Sequence, residues 1–493
     1  MSTPCSGRIV QWQENTMTAV DLSRPATTTS PDSRTPLNTG LRWAAGITVG
    51  LVVWFIHIPD LNVRQEHGAA LILATIVLWL LRAAPQGVVA LLFVVTAILS
   101  GVSDGETLLR PSWTSSQIWF VFASFGFGYM IADTSLGERL TSRLLRYFSR
   151  SFWSFGLFAI VSGTVFSVIG MAGDFARVGI LYPVIAAAGA TMKGLRREAS
   201  TRAMAMMILG VGQPTLMYVF NGFWLNQTFL GLAQEKLSYV GWFTHFMVPS
   251  LAVSVLGLIA IRILFAADIK IPADISRSKL ESLGRLTPAE WRTMGFIGLA
   301  IALWLTSSWT GLDAGWIALS VFVLMLLPGI GVMNFQDFTR RMNWNIIFFL
   351  TGAFALGALI KELHLAPIVE HWLVPSQLPN NPFVLGIVAS LLSMLIHLFT
   401  GDAASAMAVT VPVFHHAAVM YGLNPLVYGF VAYMSIFSQY FFLYQAAGVL
   451  FAYGYGLFTQ KDIFKFGLAS VITTSLGLGV VGVFYWQVTG MLH

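Results

Sequence analysis

Apolar runs long enough to cross a bilayer recur along almost the whole chain, and that one feature rules out most folds. About 20 apolar residues in a helix cover the ~30 Å hydrocarbon layer. There every backbone N–H and C=O has to be satisfied within the protein, which leaves helices or a closed barrel. The runs are continuous rather than alternating, which selects helices. They fall at 43–58, 67–82, 86–101, 117–132, 203–222, 240–264, 294–309, 315–331, 345–361, 424–450 and 467–489. Two more regions, 152–190 and 381–418, read as helical hairpins that enter and leave on one side. The expected fold is all-α and integral to a membrane, with about 11 transmembrane helices and two opposed re-entrant hairpins.

Charge gives the orientation. Only 10% of residues are charged and 56% are hydrophobic, against roughly 25% charged in a soluble domain. With the N-terminus inside, 23 of the 28 Lys and Arg fall on the cytoplasmic side. Arg64, Arg110, Lys236 and Lys361 fall outside, and Arg177 falls within the membrane. This is the positive-inside pattern of a multi-pass protein of an inner or plasma membrane. The net charge of +6 thus reports topology, and no nucleic-acid partner is expected. The single cysteine, Cys5, excludes an internal disulfide and a cysteine metal cluster. Residues 1–42 are polar, rich in Ser, Thr and Pro, and expected to be a disordered cytoplasmic tail, with Met1 or Met17 as the start. No nucleotide-binding loop, zinc-type His spacing or nucleophile motif is present, so neither an enzyme nor an ATP-driven pump is expected.

The polar stretch 269–293 divides the membrane region into halves, 43–268 and 294–493. Each half carries a Gly-rich span, then an amphipathic stretch, then an apolar hairpin broken at Gly-Asp: GDFARVGILYPV from Gly173 and GDAASAMAVTVPV from Gly401. An odd number of spans, 203–222, 240–264, 294–309, 315–331 and 345–361, separates the two hairpins, so they are expected to enter from opposite faces. Inverted repeats with broken helices meeting at the midplane characterise many secondary transporters.

A charge in hydrocarbon costs at least ~2.5–3.5 kcal/mol, so Asp174 and Asp402 need a reason to be there. Two readings stand: each caps the helix that follows, or each helps hold a cation, Na+ or H+, at a tip opened by Gly173 or Gly401. Arg177, three residues after Asp174, either pairs with it or meets an anion directly. In the second copy Ala403, Ala404 and Ser405 stand near the equivalent place, without an arginine. After each hairpin comes a span carrying amides beside Gly or Pro: Gln213, Pro214, Asn221 and Asn226 first, then Ser438, Gln439, Tyr444 and Gln445. Such breaks imply interrupted helices lining a cavity, although a single Gln or Asn also serves helix–helix bonding. Asn226 and Gln445 are the amides expected to face an anion. His397, just before the second tip, is read as a packing residue that titrates near neutral pH if exposed.

On these residues the chain resembles the divalent anion:sodium symporter family of the ion transporter superfamily. FGFGYMIADTSLGERLTSRLL and NWNIIFFLTGAFALGALIKELHLA are similar to the segments before that family's input and output hairpins. AGDFARVGILYPV and TGDAASAMAVTVPV stand where the family has two Ser-Asn-Thr tips, and neither motif is intact here. The second matches as Gly401-Asp402-Ala403 or as Asp402-Ala403-Ala404. The resemblance implies eleven transmembrane helices, a homodimer, an elevator-like movement, and di- or tricarboxylate or sulfate substrates driven by sodium. The expectation is cation-coupled symport of a small anion without a further cofactor. An anion exchanger, or a channel or uniporter on the same scaffold, is the alternative.

Overall fold

The computed structural model describes residues 8–10, 19–21, 36–58, 61–148, 150–169, 174–192, 197–265, 267–271, 273–365, 381–400, 403–442 and 445–492. Two three-residue strands, β1 Arg8–Val10 and β2 Ala19–Asp21, pair antiparallel within the N-terminal tail. The first helix starts earlier than its apolar run, at Pro36. Everything after it among the described residues is helix or connection.

In chain order the first half runs α1 Pro36–Phe55, α2 Val63–Leu80, α3 Gln86–Leu99, α4 Gly105–Trp113, α5 Ser116–Ala132 and α6 Leu136–Phe148. It continues with α7 Phe152–Val168, α8 Asp174–Thr191, α9 Arg197–Gly210, α10 Thr215–Tyr218, α11 Trp224–Ala233 and α12 Tyr239–Leu264. After α13 Ala273–Leu283 in the linker come α14 Pro288–Thr310, α15 Ala314–Leu326, α16 Phe335–Arg341 and α17 Trp344–Glu362. The chain ends with α18 Pro382–Thr400, α19 Ala403–Met420, α20 Pro425–Phe437, α21 Ala447–Tyr453 and α22 Gln460–Leu476. The π-turns of Gly477–Gly482 then lead into α23 Val483–Val488.

Local chemistry explains the boundaries. Asn62, Thr287 and Thr459 start α2, α14 and α22 with reciprocal capping boxes to Gln65, Glu290 and Asp462, satisfying amides the helix cannot. Gly311 ends α14 at φ 68°, a conformation in which a side chain is strained. Two of the apolar runs are interrupted, near the amides that marked them. Residues 203–222 divide into α9 and α10, and 424–450 into α20 and α21, because Gly210-Val211-Gly212 with Pro214, and Ser438 onward, break the helical ladder. Short amphipathic helices α4 and α16 had no counterpart in the apolar pattern.

Four helical stretches are long and apolar enough to cross a bilayer: α12, α17, α19 and the continuous helix Gln460–Val488. Shorter apolar helices surround them. Phe55, Leu99, Ile263 and Trp309 are each more than three-quarters exposed, an arrangement that water disfavours and lipid accommodates.

Contacts between the halves come in matched pairs. α3 packs on α17, and α15 packs on α5; α11 packs on α19, and α21 packs on α8. Trp79 donates its indole N–H to the Gln86 carbonyl at the start of α3 (3.1 Å), and Trp304 donates to the Ala314 carbonyl at the start of α15 (3.0 Å). The next residues, Gly87 and Gly315, press on the starts of α17 and α5. A Cβ there meets the carbonyl oxygen of Asn345 at 2.7 Å or of Ser116 at 2.2 Å. The halves therefore exchange partners instead of folding as separate bodies.

The ion pairs between distant segments sort by face. Arg139–Glu290, Lys279–Glu138, Arg341–Asp133 and Arg202–Asp462 join residues that the charge pattern puts inside. Arg64–Glu362 and His415–Glu235 join residues it puts outside. At the inner belt the Arg139 guanidinium, 8% exposed, also donates to the Leu283, Gly284 and Arg285 carbonyls and so clamps α6 to the linker. Burial opposes ionisation of Glu290; the Arg139 guanidinium and the Thr287 amide and hydroxyl more than offset it and hold the carboxyl below its ordinary value.

Candidate functional site

The two helix pairs α7/α8 and α18/α19 occupy the positions of the expected hairpins. Their tip residues Gly173, Gly401 and Asp402 lie outside the described residues, as does the side chain of Asp174, which begins α8. The described part of the site is built by the two breaks that these pairs pack against.

In the first half, α7 comes so close to the break after α9 that a Cβ on Gly163 meets Thr215 Oγ1 at 2.3 Å and the Gly212 carbonyl at 2.9 Å. Gly212 in turn leaves room for a guanidinium: a Cβ there lies 2.9 Å from Arg177 Nη1. Arg177 is 1% exposed, and its Nη2 donates to Gln213 Oε1. It sits one turn into α8, near the positive end of the helix dipole, where a cation is disfavoured. Gln213 is neutral, so it orients the guanidinium without cancelling its charge.

The second half has a similar meeting of a basic ring and a break. His397, fully buried near the end of α18, is turned toward the Gln439 side chain and the Gln445 main chain. Gln439 follows α20 as Gln213 follows α9. Gln445 folds back on its own loop, its Oε1 accepting from the Phe441 and Phe442 amides at 2.6 and 2.8 Å. Behind them a row of hydroxyls, Ser435 to Ser390 (2.9 Å) and Ser390 to Ser475 (3.1 Å), links α20, α18 and α22. Ser405 is buried in the first turn of α19, and Ala403, which opens that helix, is half-buried.

Asn226 is bonded at both ends of its amide within the protein. Its amide Nδ2 donates to the Leu216 and Val219 carbonyls, both at 2.9 Å, and its Oδ1 accepts from Tyr433 at 2.7 Å. Both ends are spent holding the break between α10 and α11 to α20. Asn221 likewise donates to the Val168 carbonyl of α7 (3.0 Å) and accepts from Tyr239 (2.8 Å). The sequence marked Gln213 and Gln439 only as break residues. Their signal was position: each is the first side-chain amide after a helix that stops inside an apolar run.

Among the described residues no three His, Cys, Asp or Glu side chains gather to hold a metal ion; the Asp174 side chain and Asp402, expected at cation sites, are not among them. A cavity of about 570 Å³ opens between the ends of α8 and α9 and the loop before α22, lined in part by Arg197, Arg202 and Thr459. Another, of about 360 Å³, lies against the start of α22.

Comparison with known proteins decides the family. The profile described as the sodium:sulfate symporter transmembrane region matches residues 39–492. The chain belongs to the sodium:sulfate symporter family. Within the range of its relatives, it is 23% identical to the inner membrane protein YbhI of Escherichia coli K12, over 84% of this chain and 90% of that one. It is also 23% identical to an L-tartrate/succinate antiporter of Shigella sonnei, over 78% of this chain and 85% of that one. The putative malate transporter YflS of Bacillus subtilis is 22% identical over 64% of this chain and 68% of its own length. The fold is shared with MtrF of Neisseria gonorrhoeae, a solved efflux pump, at TM-score 0.54 and 13% identity over 79% of this chain and 84% of that one. As a sodium:sulfate symporter family member the protein is an integral membrane transporter and not an enzyme.

Proposed function

We propose that the protein is a secondary active transporter of a small dianion, a dicarboxylate or sulfate, in the inner or plasma membrane, with its N-terminus in the cytoplasm. The observation that carries this reading is Arg177: a fully buried guanidinium, held by Gln213 against a glycine in a broken helix. A fixed planar fork of N–H donors suits carboxylate and sulfate oxygens. The exchange of packing between halves supports an inverted repeat with hairpins opposed across the membrane, and the proposal includes a homodimer with elevator-like movement, as the family resemblance implies. Gly173, Asp174, Gly401 and Asp402 form the cation sites of this reading, loaded with Na+ or H+.

Exchange of one dianion for another is the second reading, favoured by the relatives described as L-tartrate/succinate antiporters. One experiment separates them. Labelled succinate and sulfate are offered to proteoliposomes under a sodium gradient, a proton gradient, or internal unlabelled succinate alone. Accumulation above the gradient of the anion itself under either cation supports symport, and loss of proton-driven uptake in Asp402→Asn assigns the proton. Uptake only against internal succinate supports exchange. Dissipative flux with no accumulation in any arm makes the protein a uniporter and ends the proposal.

A further inference from the structure

We infer that the cytoplasmic end of α22 is a binding site for an anionic phospholipid. The cavity of about 360 Å³ there is lined by Phe442, Gln460, Lys461, Phe464 and Lys465. Two of the five are cations and none is an acid. The nearest carboxylate on the helix, Asp462, points inward, where its Oδ2 accepts from the Thr459 amide and hydroxyl and its Oδ1 lies 4.0 Å from Arg202. Lys461 and Lys465, one turn apart and both exposed, are thus free to meet a phosphate from one side.

The same face continues up the helix as a bare apolar stripe. Phe464, Leu468, Ile472 and Leu476 are 44%, 53%, 63% and 45% exposed, and their four-residue spacing puts them in line above the lysines. From Phe464 to Leu476 the helix rises about 18 Å at 1.5 Å per residue. One leaflet's share of the hydrocarbon layer is about 15 Å. Charge at one end and an apolar track of one leaflet's depth match a headgroup phosphate and its acyl chain, and a basic pocket on the cytoplasmic side suits the leaflet where anionic lipids carry a negative surface potential. The lysine stems reach that level by running along the apolar surface. The occupant is therefore a lipid, in preference to a soluble phosphate, which has no use for the stripe.

The pocket also touches the transport machinery. Gln460, in its wall, donates to the Phe441 carbonyl at 3.1 Å, and the Phe441 and Phe442 amides are those that hold Gln445. A bound headgroup rests against the loop that forms the second break.

The test is native mass spectrometry of the purified full-length protein titrated with phosphatidylglycerol or phosphatidylcholine of the same chains. At about fivefold per lysine near an anionic surface, the wild type should prefer phosphatidylglycerol by tenfold or more. Lys461→Gln/Lys465→Gln should lose most of that preference, while Lys270→Gln, another exposed lysine of the cytoplasmic side, should keep it. Size-exclusion profiles check folding of each variant, and the single Lys461→Glu gives the same reading should the double variant aggregate. Equal retention of both lipids by the wild type, or an unchanged preference in the double variant, overturns the assignment. So does displacement of the lipid by millimolar inorganic phosphate, which makes the pocket a soluble-anion site, or loss of lipid on association of two copies through this face.

Discussion

Replacing Asn226 by alanine tests whether this amide is structure or ligand. The substitution removes two donors and one acceptor at a residue with no exposed surface. Left behind are the Leu216 and Val219 carbonyls and the Tyr433 hydroxyl. A buried polar group left unsatisfied costs about 1–3 kcal/mol. Taking the low end, as fits the modest hydrogen-bond values found within membrane proteins, the three together cost about 3 kcal/mol. At roughly 2–4 °C per kcal/mol for domains of moderate size, Asn226→Ala should lower the apparent melting temperature by about 6–12 °C in detergent. Tyr433→Phe should cost less, since it removes one bond and leaves both carbonyls engaged. The double variant should cost less than the sum of the singles, because the two residues share a bond. Melting is followed by the loss of monodisperse protein on size exclusion, and uptake is measured in parallel. An Asn226→Ala protein that melts like the wild type yet shows a much raised half-saturating substrate concentration would falsify this argument and return Asn226 to the anion.

Three further outcomes follow from the same geometry. Arg177→Gln should abolish uptake of any dianion, and Arg177→Lys should restore little, because an ammonium cannot reproduce the fork against Gln213; near-normal uptake by the lysine variant would show that charge alone suffices. Gly315→Ala should reduce thermal stability more than Gly87→Ala, since the new methyl meets the Ser116 carbonyl at 2.2 Å rather than the Asn345 carbonyl at 2.7 Å, and equal melting of the two would refute the close approach. Glu290 has a lowered folded-state pKa, so its stabilisation is present above the ordinary glutamate value and is lost as pH falls through the lower folded one. Between neutral pH and pH 4 the wild type should therefore lose more melting temperature than Glu290→Gln, and parallel losses would count against the clamp.

The helical fold was legible because lipid permits so few alternatives: once the apolar runs were located, their type and approximate ends followed. The breaks were legible only in part. Pro214 and the Gly210–Gly212 pair announce one, but Ser438-Gln439 does not look like a helix stop, and the loop there is held by the Gln445 side chain bonding to amides it happens to reach. Asn226 shows the limit most clearly. A polar residue in an apolar span signals that something needs hydrogen bonds, yet the sequence does not say whether the needy group is a substrate or the protein's own carbonyls. The Trp79 and Trp304 indoles went unread for the opposite reason, since aromatic residues near helix ends are common at membrane interfaces and their match across halves depends on a contact in space.

The exchange of partners between the halves sets a timetable for biosynthesis. α8, which carries Arg177, is covered in part by α21, and that helix leaves the ribosome about 250 residues later, or roughly 10–50 s at ordinary elongation rates. During that interval the insertion machinery holds α8 without the helix that packs on it. A chain truncated before Ala447 keeps α8 and lacks this cover, which makes residues 447–493 a checkpoint for the packing of the first half.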